Sequence, residues 1–411
     1  MRIGRRFTGL WHHPDFMKLW AGQAISEFGS RITRDGLPLA AVISLHATPG
    51  EMGLLFAIGS APVLLVGLPA GVWVDRLRRR PIMIAADIAR ALVLGSIPAA
   101  AILGYLRIEQ LYIVSAVAGV LTVFFEVAGQ SYLPALVSRE QIIEGNSKLG
   151  ASSSLAEIGG PSLAGGLVQA LTAPIAILFD ALSYLASAAS LALISKPEPP
   201  PEPKQERANI WLDVTEGLRL VLGHPLLRSI AGGSGIRNFF GGFYGALYSL
   251  YAVATLGISP GVLGLLITAG GLGALPGALL AERLSRRYGV GRTIIGALAF
   301  SVAFAPLTPL AGAFGLPPVG FLLAAQFFGD FGLVIYFINA LSLRQSLVPD
   351  RLLGRANASM QFLEGGVAPL GALLAGALAE GIGPRATLWI ASAGFAVSAL
   401  WLLRGPLRSL A

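Results

Sequence analysis

Glu27, Arg31, Arg34 and Asp35 stand inside an otherwise apolar run of the chain. Glu27, Arg31 and Asp35 are each four residues apart, so on a helix they share one face and can pair along it. Ionisable groups at such depth in an apolar run are expensive, and those that persist pair with one another or mark proton and substrate paths. Two readings are open for this face. It is a self-neutralised ladder that packs the segment on its neighbours, or it lines a cavity where one carboxylate exchanges a proton. Asp87 and Arg90 lie about two turns inside a later run, and Glu126 lies at similar depth in the run after it. These three are expected to form one charge cluster, read first as structural. Glu157, four residues before Pro161, and Glu364, five before Pro369, read as matched packing positions. In the second half, Arg237 and Asp330 are further cavity candidates. His12, His13, His46 and His224 all fall at run ends or in the tail. Proton exchange would therefore rest on Glu27, Asp35, Glu126 or Asp330.

A different chemistry belongs to the short charged stretch Gly71-Val-Trp-Val-Asp75-Arg76-Leu-Arg78-Arg79-Arg80-Pro81. It joins two apolar runs and combines one acid and four arginines with a glycine at the expected packed end of a helix. A weaker echo, Gly277-Ala-Leu-Leu-Ala-Glu282-Arg283-Leu-Ser-Arg286-Arg287, occurs in the second half, with Pro69 matching Pro276. Asn146 and Asn357 are related by 211 residues, an offset that also carries Gly165 onto Gly376 and Leu136-Val137 onto Leu347-Val348. The chain therefore reads as a duplication.

The elements that position these residues are membrane spans. Of 411 residues, 54% are hydrophobic and 13% charged, with mean hydropathy +0.70. Soluble domains carry about 25% charged residues, so a water-covered surface is excluded. Runs of about 20 apolar residues number about twelve, with approximate limits 17–45, 51–74, 81–104, 109–131, 147–171 and 174–195, then 227–255, 260–281, 291–312, 317–345, 355–380 and 384–403. The formal charge of +8 is not a nucleic-acid signature, because the basic residues cluster in short turns between apolar runs. Arg2, Arg5, Arg6, Arg76, Arg78–Arg80, Arg139, Lys148, Arg283, Arg286, Arg287, Arg344, Arg355 and Arg404 fall on one side, and only Arg107 and Arg385 on the other. That asymmetry places both termini in the cytoplasm. No signal-peptide cleavage site follows the basic start, so the first run reads as an uncleaved anchor.

Three segments follow: a six-helix half over 1–195, a linker over 196–226, and a second six-helix half over 227–411. The linker opens with the proline-rich stretch Lys196–Arg207, an extended spacer. Residues 210–221 then put apolar residues at helical spacing, either as a short interfacial helix or as an extension of the seventh span. Absence of cysteine removes disulfides and thiolate chemistry. No nucleophile elbow, metal spacing or phosphate loop is present, so no enzyme reading stands. Phe239, Phe243 and Tyr251 share a helical face that could hold an aromatic or amphipathic ligand.

These features resemble the major facilitator superfamily, whose loop between spans two and three has the pattern Gly-x-x-x-Asp-Arg-x-Gly-Arg-Arg. Here it stands as Gly71-x-x-x-Asp75-Arg76-x-Arg78-Arg79-Arg80. Asp87-x-x-Arg90, Leu133-Pro134-x-Leu136-Val137, Gly160-Pro161 with Gly165-Gly166, Asp180-Ala-Leu-Ser183 and Gly354-Arg355-x-Asn357 resemble the bacterial branch of enterobactin exporters and macrolide efflux proteins. The resemblance implies an all-α membrane protein of twelve spans in two pseudo-symmetric halves. It implies a secondary transporter of the bacterial inner membrane that exports a small amphipathic organic compound against inward proton flow. No cofactor other than the proton gradient is expected. Partners are the substrate and the bilayer, with no nucleic acid, and the protein is expected to be monomeric. By that resemblance spans one, four, seven and ten line the cavity, so Arg237 and Asp330 are expected to face each other across it. Asp75 is expected near the start of span eleven, anchored by Arg76, Arg79 or Arg80, and Glu282 near Asn146. Gly160, Pro161, Gly165 and Gly166 serve helix packing. A lysophospholipid flippase and a non-transporting sensor are the rival readings.

Overall fold

The computed structural model describes residues 9–74, 76–198 and 210–410, and among them the fold is all-α, with no strand. Contacts divide the chain into two compact units, Met1–His46 with Ile58–Lys204, and Ala47–Ala57 with Gln205–Ala411. The boundary falls inside a helix. Unit 1 holds α1 (Pro14–Leu39), most of α2 (Pro49–Val74), α3 (Arg79–Ile102), α4 (Ile108–Leu136), α5 (Ile142–Ala170) and α6 (Ala173–Ala192). Unit 2 holds the opening turns of α2 together with α7 (Ile210–Gly223), α8 (Pro225–Leu250), α9 (Pro260–Tyr288), α10 (Val290–Phe304) and α11 (Leu307–Leu310). It continues through α12 (Pro318–Leu347), α13 (Asp350–Gly365), α14 (Ala368–Ile382) and α15 (Pro384–Arg404).

Nine stretches among the described residues are long and apolar enough to cross a membrane. Helices α1, α5 and α8, of 26, 29 and 26 residues, have the length without the apolarity. The reason lies in their residues: α1 carries Asp15, Lys18, Glu27, Arg31, Arg34 and Asp35, α5 is rich in Ser and Gly, and α8 carries Arg228 and Arg237. Polar helices of this kind survive in a membrane only where they face protein or water.

The backbone repeats at the offset seen in the sequence. Helix α1 begins at Pro14 and ends in a π-helical turn at Ala40–Ser44; 211 residues later α8 begins at Pro225 and ends in one at Tyr251–Thr255. His46 (φ 53°) then matches Gly257 (φ 67°), and Thr172 (φ 153°) matches Gly383 (φ 83°). The second copy has glycine at both left-handed positions, where a side chain is disfavoured. The first copy does not.

Departures from the apolar runs have identifiable causes. The eleventh run is two helices, α13 and α14, parted at Gly366–Val367. Pro369 has no N–H to bond the carbonyl of Gly365, and its ring crowds that carbonyl. The ninth run breaks before Pro306 in the same way. The echo at 277–287 is no turn: α9 stays helical to Tyr288, and Gly289 (φ 84°) makes the corner. The segment after the linker is a helix of its own, α7, separated from α8 at His224. A methyl on Gly217 would lie 2.5 Å from the Arg355 carbonyl of α13, so this part of α7 is seated on protein and not laid on lipid.

Close packing takes the place that the hydrophobic effect holds in water, since lipid tails are as apolar as leucine. Beneath the charged end of unit 1, Phe16, Leu19, Val74, Met83, Tyr132, Leu136 and Leu191 form a buried cluster. In unit 2, Val221, Leu227, Ile294, Leu298, Tyr336 and Met360 form another.

Candidate functional site

The charges of α1 are joined by an acid from another helix. Arg31 and Arg34 both pair with Glu157 of α5, Arg34 at 3.7 Å. The ladder expected along α1 is replaced by this cross-helix pairing, and Glu157 is its acid and not a mere packing residue. Two features of α5 bring it about. Gly160 lets the stem of Arg31 lie against the helix, where a β-carbon would sit 2.5 Å from that of Arg31. Pro161, within a helix that continues unbroken, leaves the Glu157 carbonyl without its intrahelical donor. Arg31 is buried and Arg34 exposed. The buried Oδ2 of Asp35 has no hydrogen-bond partner. Glu27 is half-buried. Glu27, Asp35 and Glu157 thus stand near the two guanidiniums, and Glu126 of α4 stands near Glu27 and Arg34, so carboxylates outnumber guanidiniums in this cluster. Gly165 is buried as a packing residue, whereas Gly166 is exposed with nothing within 4 Å of a β-carbon.

Deeper in unit 1, Asp87 and Arg90 pair on α3 with both side chains buried. The guanidinium lies 4.4 Å from the Phe125 ring centre and 4.0 Å from that of Tyr184, and donates to Thr122 Oγ1 at 3.3 Å. Glu126 makes no direct contact with them among the described pairs, though the Arg90 charge acts on it. Phe125 takes the face of α4 that meets Arg90, and one residue further turns Glu126 about 100° away, where it is exposed. The expected trio is a pair with an aromatic sandwich. Sequence reasoning missed a neighbour: Asp180 of α6 is fully buried and accepts from Thr33 Oγ1 and Ser183 Oγ. Its only sequence signal was membership in Asp180-Ala-Leu-Ser183.

In unit 2, Asp330 is near enough to Arg237 for its charge to act on the guanidinium. Arg237 is placed over Phe337 and Phe395, at 5.8 and 5.4 Å from their centres. Asp330 lies against α9, where a β-carbon at Gly270 would collide with its Oδ2. The face of Phe239, Phe243 and Tyr251 is not open to a ligand. Phe243 and Tyr251 are fully buried, and the Tyr251 hydroxyl bonds the Ala311 carbonyl at 3.2 Å and receives Arg385 Nε–H at 3.1 Å.

At the charged end of unit 1, Asp75 lies outside the described residues. Arg76 is exposed, and Gly71 has nothing within 4 Å of a β-carbon, so the expected packed glycine is not seen there. Arg79 and Arg80 are engaged. Glu198 accepts from their backbone N–H groups at 2.6 and 3.0 Å, capping α3, and its carboxylate lies 3.8 Å from the Arg79 guanidinium. Arg80 donates to the carbonyls of Leu191 and Ala192 at 2.8 and 2.6 Å, the negative end of the α6 dipole. Asp15 completes the staple, accepting from Ser195 N–H, Lys196 N–H and Lys18 Nζ at 3.0, 2.9 and 2.8 Å. The linker thus opens as a hydrogen-bonded clasp at 195–198, exposed except for the Glu198 side chain, and not as free spacer; its remainder at 199–209 lies outside the described residues. Sequence reading missed Glu198 because proline density around it signalled solvation.

The second latch is slighter. Glu282 and Arg286 pair at 2.7 Å along α9 with both side chains about three-quarters exposed, 74% and 80%, a contact worth about 0.3–0.5 kcal/mol. Arg283 is exposed, and Arg287 lies over Tyr288 at 5.4 Å. Arg355 pairs with Glu216 of α7. Asn146 is exposed, and the buried Oδ1 of Asn357 has no hydrogen-bond partner.

Opposite ends of α2 serve different neighbours. In unit 2, Glu380 of α14 accepts from Thr48 Oγ1 and Gly50 N–H at 3.1 and 3.2 Å. Gly53 approaches so closely that a methyl would sit 2.5 Å from the Ala372 carbonyl.

Long apolar helices, charges paired at membrane depth and a backbone repeated at 211 residues are features that a transporter combines. The family of transmembrane secretion effectors matches residues 9–411, and the chain belongs to it, within the major facilitator superfamily. It is 27% identical to the multidrug efflux pump Tap of Mycolicibacterium fortuitum over 84% of this chain and 85% of that one. To the enterobactin exporter EntS of Citrobacter koseri it is 25% identical over 96% and 93%. A 28% identical match to the uncharacterized transporter YfiS of Bacillus subtilis covers 51% of this chain, which spans about half the length of that relative. The fold is that of a bacterial homologue of the iron transporter ferroportin, solved in an inward-facing state, with TM-score 0.77, 17% identity, and 97% and 99% of the two chains covered.

Proposed function

We propose that this protein is a proton-coupled exporter of small amphipathic organic compounds, working by alternating access in the bacterial inner membrane. Its twelve spans form two pseudo-symmetric six-helix halves, with both termini in the cytoplasm. The nine apolar stretches supply spans two, three, four, six and eight to twelve, and the polar helices α1, α5 and α8 supply the other three. Efflux polarity and substrate class rest on the likeness to Tap and EntS, whose names describe export of drugs and of enterobactin.

The observation that carries proton coupling is Asp35. Glu157 engages both arginines of α1, so Asp35 is left at membrane depth with a buried oxygen lacking a donor. One proton on this cluster removes one of its surplus negative charges. Loading and release of that proton would change the electrostatic cost of moving α1, which is how a carboxylate couples a pH gradient to a conformational cycle. The Arg79–Arg80–Glu198 staple holds one end of unit 1 as a rigid body during that cycle. The test is flux of a panel of amphipathic compounds from proteoliposomes under an imposed pH gradient. Gradient-driven accumulation of at least one compound supports the reading, and a panel that moves equally with and without the gradient overturns the coupling.

A further inference from the structure

Between the second half of α3 and the first half of α4 lies a cavity of 710 Å³, open along the apolar flank of unit 1. Leu92 and Ile113 stand on its walls, 70% and 64% exposed, Val114 is buried at its depth, and Val93 and Val117 complete the apolar lining. Gln110 bonds the Ser96 carbonyl and hydroxyl, both at 3.0 Å, so the polar atoms of the floor are satisfied internally. From Leu92 to the end of α3 is about 16 Å at ~1.5 Å per residue, close to half the ~30 Å hydrocarbon core. The groove is therefore as deep as one leaflet. It lies in the half of the membrane remote from the Arg76–Arg80 turn, since α3 runs from that turn to Ile102.

Its mouth is charged in a particular way. Tyr105, Arg107 and Glu109 line it, all exposed. Among the described residues neither Arg107 nor Glu109 has an ion-pair partner. A cation and an anion two residues apart at the water–lipid boundary complement a headgroup that carries both signs, and the aromatic ring of Tyr105 suits the same depth.

We propose that this groove binds one phospholipid of the far leaflet whose headgroup joins a phosphate to a primary ammonium, the phosphatidylethanolamine class. An acyl chain fills the apolar depth, Arg107 takes the phosphate, and Glu109 takes the ammonium N–H groups. The charge pair is what selects this occupant over an anionic lipid, which Glu109 repels, and over a choline lipid, which offers Glu109 no N–H.

The test is native mass spectrometry of the purified full-length chain after equilibration with equimolar phosphatidylethanolamine, phosphatidylcholine and phosphatidylglycerol. The wild type is expected to retain the ethanolamine lipid about threefold over each of the others, the scale of exposed ion pairs. Arg107→Ala lowers retention of all three, and Glu109→Gln makes the ethanolamine and choline lipids equal. Val117→Phe, which fills the groove without touching the mouth, lowers retention of all three while keeping their order. Equal retention by the wild type, highest retention of the glycerol lipid, or a preference for the ethanolamine over the choline lipid that survives Glu109→Gln would overturn the proposal.

Discussion

Arg90 shows how a single residue binds unit 1 together, because its guanidinium is enclosed by an acid, a hydroxyl and two rings from three helices. Removing its counter-ion leaves a buried charge alone, so Asp87→Ala is expected to cost about 3–5 kcal/mol. Glu126→Gln, at an exposed position, should change stability by no more than about 0.5 kcal/mol; thermal unfolding in detergent compares the two. Thr172 is held at φ 153°, where its 211-residue counterpart is Gly383. Strain of about 1–3 kcal/mol outweighs the extra chain entropy of glycine, about 0.5–1 kcal/mol, so Thr172→Gly should raise the unfolding midpoint. Asp15, ahead of the first apolar run, is held at a pKa of about 2, below the ordinary 3.8, first by the Lys18 ammonium and then by Ser195 N–H. Its folded pKa is depressed, so its contribution is fully present above pH 3.8 and is lost as pH falls toward 2. Asp15→Asn should flatten that part of the stability–pH curve, and an unchanged slope between pH 4 and 2 would refute the assignment.

At the scale of elements, the close approach of α2 and α14 depends on Gly53. A larger side chain there must displace the Ala372 carbonyl, so Gly53→Leu should destabilise unit 2 by about 1–3 kcal/mol and raise hydrogen exchange in the opening turns of α2. Unchanged exchange would mean that the contact is not tight. Much of this level was legible in the chain: the apolar runs marked the elements, and the 211-residue offset reappears in matched π-turns and corners. Charge partners were not legible, because pairing within a helix can be read from spacing while pairing across helices cannot. Arg31 meets Glu157 across 126 positions, and Arg79 meets Glu198 across 119. A one-residue difference in helical phase decided that Phe125, and not Glu126, faces Arg90. Runs read as continuous over 291–312 and 355–380 part at Pro306 and Pro369, yet Pro161 sits in an unbroken helix, so proline alone does not say which helix parts.

For the whole molecule, membership in a family of secretion effectors makes it a transporter, and the surplus carboxylate on α1 supplies its proposed coupling to protons. That coupling separates two activities that one protein preparation can report. Net efflux driven by a pH gradient requires the carboxylate to load and release a proton, whereas substrate exchange at equal pH requires only the conformational cycle with substrate bound. The decisive measurement is therefore a paired assay of wild type and Asp35→Asn in proteoliposomes, with gradient-driven efflux and equal-pH exchange followed for the same compound. The account predicts that Asp35→Asn loses the gradient-driven component, about tenfold or more for an essential proton carrier, while exchange persists within about twofold. Gradient-driven efflux by Asp35→Asn at the wild-type rate would contradict it.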